Sequence, residues 1–117
     1  MNLDSAFQTH ALWKIKLRAA ISKREQMDLI TLSRDDCCEL GIWLHGEGKI
    51  HFGQHAAHLD CIHKHLDFHS EVTKVGKAVN AQQFSAADAM LNAGTPYAKA
   101  SSALSVSIMQ LRKAAGI

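Results

Sequence analysis

At 117 residues the chain is long enough for one modest hydrophobic core, and it reads as a single domain spanning 1–117. Hydrophobic residues make up 47%, Pro96 is the one proline, and the formal charge is only +2 with scattered Lys and Arg; this suits an all-helical chain and excludes disorder and a basic nucleic-acid surface. The longest apolar runs, such as 42–44, are far too short to span a bilayer, and Asp4, Gln8 and His10 interrupt any signal-peptide core, so the expectation is a soluble, cytoplasmic protein with no membrane insertion.

The first helix is expected over 5–23, capped by Asp4 or Ser5. Ala6, His10, Trp13, Leu17 and Ala20 form its inward seam in steps of three and four. The stretch 22–33 carries Met27, Leu29, Ile30 and Leu32 among polar residues and reads as a partly packed connection. Ser33 is placed to cap a shorter second helix, with Asp35 and Asp36 in its first turn, Cys37, Cys38, Leu40, Ile42, Trp43 and Leu44 along it, and Gly46 and Gly48 at its end. A loop over 49–53 precedes a long helix over 54–80. A short helix follows over 85–92, stopped by Gly94, and Thr95-Pro96 is a strong start signal for the last helix. That helix sets Tyr97, Ser101, Leu104, Ile108 and Leu111 on one face. These elements make an antiparallel four-helix bundle with an additional short helix.

The long helix holds the most informative stretch, HLDCIHKHLDFH at 58–69. Leu59, Ile62, Leu66, His69, Val72, Gly76 and Val79 form a nearly unbroken seam, so His69 occupies a position the pattern would give to Leu. His65 lies one turn earlier and points the same way. His10 likewise sits inside the seam of the first helix. A histidine is most often a surface or hydrogen-bonded core residue, but three in seams that face one another point to a metal ion, for which neutral imidazole is the commonest ligand. Three histidines alone suit a catalytic site with an open position, whereas an added thiolate closes the tetrahedron.

The three cysteines, Cys37, Cys38 and Cys61, have no disulfide-framework spacing. Cys61 lies one turn before His65 and could join that ladder. Cys37 aligns with Leu40, Gly41 and Leu44, and Cys38 aligns with Ile42. Periodicity leaves the choice among them open. Trp13 and Trp43 read as packing around the site, and Asp60 and Asp67 as acceptors for the imidazoles or as surface residues.

The run Cys38-Glu39-Leu40-Gly41-Ile42-Trp43-Leu44 resembles the C-x-L-G-x-W-L signature of the chemoreceptor zinc-binding (CZB) domain. His10 with Trp13 resembles that family's H-x-x-W, and His65 to His69, with Phe68 before the second histidine, resembles its H-x-x-F-H. The motifs stand in the family's order over 10–69. The resemblance implies that His10, Cys38, His65 and His69 bind Zn²⁺. It also implies a non-enzymatic regulatory domain of bacterial chemotaxis or cyclic-di-GMP signalling that senses zinc or hypochlorous acid. Partners implied are a second copy in a homodimer and a bacterial signalling protein or fused output module. The signature does not cover Cys37, His45, His51, His55, His58 or His63, which read as incidental apart from a weaker second metal site at His51, His55 and His58.

Three other readings compete. A zinc hydrolase with a three-histidine site lacks H-E-x-x-H or a comparable base. A di-iron bundle needs inward carboxylates that the seams do not offer. A structural helical interaction module would leave the histidines incidental.

Overall fold

The computed structural model describes residues 3–36 and 38–117. Among them run α1 (Leu3–Ala11), α2 (Trp13–Lys23), α3 (Leu29–Ser33), α4 (Glu39–His45), α5 (Glu47–Phe52), α6 (Ala56–Asn80), α7 (Phe84–Ala89) and α8 (Pro96–Ala115). The described residues contain no strand, and none of their helices is long and apolar enough to cross a membrane.

The chain is an all-helical bundle. α6 and α8 make its most extensive pairing and run antiparallel, since Phe68 meets the Tyr97 ring while Cys61 meets Ser107. α1 lies along the C-terminal half of α8, where Asp4 pairs with Arg112, and α2 reaches α7 through Arg18 and Asp88. The fourth wall is the succession α3, α4, α5, each packed on α6.

The first helix is interrupted at Leu12, whose N–H is shared between the Gln8 and Thr9 carbonyls, both at 3.2 Å. Its seam is as the pattern predicts: Ala6, His10, Leu17 and Ala20 are buried and Trp13 is half-buried. Within 22–33, Asp28 accepts the N–H groups of Ile30 and Thr31 and so starts α3. Asn80 clamps the preceding turn by accepting Met27 N–H at 2.7 Å and donating to Met27 O at 2.9 Å. Gly76 lets α3 approach α6 closely, because a Cβ there would stand 2.7 Å from Leu32 Cδ1.

Two local expectations are corrected. Ser33 does not cap the second helix: it closes α3, its hydroxyl donating to the Ile30 carbonyl, and the cap of α4 is Cys38. Asp35 and Asp36 therefore precede the helix. The expected loop at 49–53 is largely α5, because Gly46 ends α4 and the chain rewinds at once. Gly48 packs under the Trp43 ring, where a Cβ would come within 2.8 Å of ring carbons, so this glycine serves packing inside α5. At the other end Thr95 accepts Ala98 N–H ahead of Pro96, as its sequence predicts, and Tyr97, Leu104, Ile108 and Leu111 are buried within the chain itself.

The register of α6 is the third correction. Its buried face is His58, Cys61, His65, Phe68, His69, Val72, Val75, Gly76 and Val79, while Leu59 is 55% and Leu66 43% exposed. Steps of three and four back from Val72 pass equally well through His69 and Leu66 or through Phe68 and His65. Burial of Phe68 against α8 selects the second path and turns Leu66, about 100° further round, outward. Accordingly Phe68→Ala is expected to cost about 3–5 kcal/mol in denaturant unfolding. Leu66→Ala is expected to cost at most about 1 kcal/mol; the reverse order would restore the simpler seam.

Candidate metal centre

Four side chains from three helical elements converge between α1, α4 and α6. α1 supplies His10, α6 supplies His65 and His69 one turn apart, and Cys38 enters from the start of α4. One nitrogen or sulfur from each lies within 4.8 Å of all the others. Cys38 Sγ is 3.1 Å from His65 Nε2 and 3.7 Å from His69 Nε2, and the two Nε2 atoms are 3.0 Å apart. Ligand atoms of a tetrahedral site with bonds of about 2.0–2.3 Å stand roughly 3.3–3.6 Å from one another. The observed separations bracket that spacing, so the four residues form a set that could hold a metal ion.

The surrounding hydrogen bonds set the imidazoles for that task. His10 Nδ1 donates to the Ala6 carbonyl at 2.8 Å, one turn back on its own helix, and His69 Nδ1 donates to the Leu32 carbonyl at 3.0 Å. These tautomers are assigned from the carbonyl partners. Each leaves an Nε2 lone pair directed into the cluster, as in metal sites whose imidazoles are oriented by an outer acceptor. His10 Nε2 and His65 Nδ1 are buried without a hydrogen-bond partner. An unpaired buried polar atom costs about 1–3 kcal/mol, and a metal bound through His10 Nε2 would remove that cost. Phe68 and Trp13 close the apolar surround, their rings 5.5 Å from His10 and 6.3 Å from His69.

In the metal-free protein burial governs the titration of the site. It drives His65 down to about 3, with His69, His10 and His45 adding like-charge repulsion, and it lowers His10 against the opposing pull of the Ala6 carbonyl. Burial also raises the Cys38 thiol, opposed by the Gly41, Leu40 and Cys38 backbone groups and reinforced by the Asp35 carboxylate. A metal must therefore displace the thiol proton but finds His10 and His65 already neutral.

The remaining candidates are dispersed. Cys37 lies outside the described residues. Cys61 is buried against α8, its thiol pushed up to about 11 by burial despite a hydrogen bond with Ser107, and it takes no part in the cluster. His51, His55 and His58 do not converge; the described residues contain one group of three or more potential ligands, and it is the set above. His58 instead donates from Nε2 to the Leu44 carbonyl at 2.8 Å, closing the end of α4. The acceptors orienting His10 and His69 are backbone carbonyls and not Asp60 or Asp67, and Asp67 lines a surface groove with Lys64 and Lys99. Trp43 packs on Phe52 and Gly48, consistent with a packing role. The Ala6 acceptor was readable as the residue one turn before His10. Nothing in the sequence pairs Leu32 with His69.

The titrations fix a sign. An imidazole that is held neutral when folded but takes up a proton near pH 6.5 when unfolded stabilises the fold above that pH, and the contribution is lost as pH falls toward the folded value. The metal-free protein should therefore lose stability between pH 6.5 and about 4.5, above the carboxylate range, by up to about 1.4 kcal/mol per pH unit for each such imidazole. Denaturant midpoints against pH measure this, and His65→Gln should flatten the slope. Comparison of the chain with protein-family models, with curated proteins and with solved structures returned no match.

Proposed function

We propose that the chain is a zinc-binding regulatory domain of the chemoreceptor zinc-binding type, without catalytic activity, in bacterial chemotaxis or cyclic-di-GMP signalling. The observation that carries the reading is the convergence of His10, Cys38, His65 and His69 from separate elements. Three imidazoles and one thiolate match the structural zinc pattern, in which every position is taken by protein. No carboxylate belongs to the group among the described residues, which counts against a hydrolase base and against a di-iron centre. The unpaired His10 Nε2 counts against a purely structural module, since a core histidine would have its nitrogens satisfied.

When bound, zinc holds the Cys38 sulfur as a thiolate and links three elements through one point. Cys38 is half-buried and sits at the head of a seven-residue helix, the lightest of the ligand-bearing elements. Hypochlorous acid would transfer its oxygen to the Cys38 thiolate, giving a sulfenate with a proton and chloride released. That change would withdraw one ligand, and loss of zinc would remove the link altogether; either would free α4 to move relative to α6. A homodimer and an attached or separate signalling partner complete the proposal.

The test is the zinc content of untagged protein purified without added metal. About one zinc per chain is expected, with Cys38→Ala and His69→Ala weakening binding by more than the roughly 10–100-fold typical of a lost outer partner. Absence of zinc from a folded protein would overturn the reading. Chelation should also raise hydrogen exchange at the α4 amides, and unchanged protection there would remove the sensing step while leaving the metal site.

A further inference from the structure

Cys38 differs from the three imidazoles in how it is held. Each histidine sits inside a helix whose axis fixes its direction, whereas Cys38 lies before the first turn of α4 in an extended conformation with φ −84° and ψ 161°. Its direction must come from the segment that leads into it. Asp35, three residues before Cys38, makes two contacts with α4.

The Asp35 carbonyl lies directly over the Cα of Gly41: a Cβ on Gly41 would fall 1.6 Å from that oxygen, 2.7 Å from the Asp35 carbonyl carbon and 3.2 Å from Asp36 Cα. No side chain is compatible with this approach. The Asp35 carboxylate in turn accepts from His45 Nε2 at 2.8 Å, at the far end of α4. One residue three positions before the ligand is thus fastened to both ends of the helix the ligand begins. Gly41 completes the arrangement by donating its N–H to Cys38 Sγ at 3.4 Å. With Asp35 held against α4, Cys38 stands at the head of that helix and its Sγ lies 3.1 Å from His65 Nε2 and 3.7 Å from His69 Nε2.

We propose that Asp35, held between Gly41 and His45, is the positioning residue for the Cys38 ligand. The proposal rests on the metal-site reading above and adds to it residues that touch no metal. A carboxylate beside the site also attracts a divalent cation through its charge, so Asp35→Ala alone does not separate charge from positioning. The His45 variants do, because they leave the Asp35 carboxylate in place and change only whether it is held.

The test uses Co²⁺ as the probe, because the sulfur-to-cobalt charge-transfer band reports the Cys38 bond separately from the histidines. Wild type should show the band. Asp35→Ala, His45→Phe and Gly41→Ala should weaken it and lower Co²⁺ affinity about 10–100-fold, with helical circular dichroism retained in the first two. His45→Gln, which keeps a donor toward Asp35, should restore band and affinity. Asp35→Ala binding as tightly as wild type or more so, with the band intact, overturns the positioning role, as does failure of His45→Gln to exceed His45→Phe. Should Gly41→Ala not fold, the His45 pair still decides. Wild type that takes up no cobalt overturns the metal reading itself; cobalt-binding wild type with indifferent variants overturns only the positioning.

Discussion

His10 and His65, packed ring against ring inside a small bundle, are tolerable only while they stay uncharged, and that requirement shapes the rest of the molecule. His65 and His69 stand 4.5 Å apart at right angles, and His10 lies 5.3 Å from His65. Protonating His10 or His65 would place a charge in an apolar surround beside its neighbours, which is the combination that displaces pKa values furthest. A cation with lone pairs directed at it from all sides is the arrangement in which these rings assist one another. The aromatic wall of Phe68 and Trp13 and the burial of α6 follow from the same demand, because water would weaken the constraint.

The outer contacts carry that constraint to the backbone. The Leu32 carbonyl that orients His69 belongs to α3, and α3 is held on α6 by the Asn80 clamp on Met27 and by the close approach at Gly76. The orientation of one imidazole therefore depends on the docking of a five-residue helix. α4 is joined to α6 in a comparable way, through His58 at its C-terminal end and Cys38 at its start.

Much of this was legible in the sequence. His10 and His69 announce themselves because each takes the place of an aliphatic residue in a helical seam, and Thr95-Pro96 fixes the start of α8 by local chemistry alone. The choice of Cys38 over Cys61 came from the resemblance of its flanking residues and not from periodicity, which Cys61 satisfies equally well. The register of α6 was misread because two apolar paths share Val72 and diverge one turn earlier; only the presence of α8 beside Phe68 decides between them. α5 and the true start of α4 were missed because glycine signals a helix end and aspartate suits a helix's first turn, whereas Gly48 and Asp35 serve contacts with Trp43 and Gly41 that are remote in pattern though near in space. Long-range backbone partners such as Leu32 O leave no trace in composition.

The sulfur of Cys38 also accepts the N–H of Gly41 and so stands where a serine or aspartate oxygen would ordinarily begin a helix. One atom is therefore both the punctuation of the backbone and part of the chemistry of the site. A chemical event at that atom needs no lever to reach the fold. It alters the capping hydrogen bond of α4 at the moment it occurs, so a change in the chemistry of the sulfur is at once a change in how the helix begins.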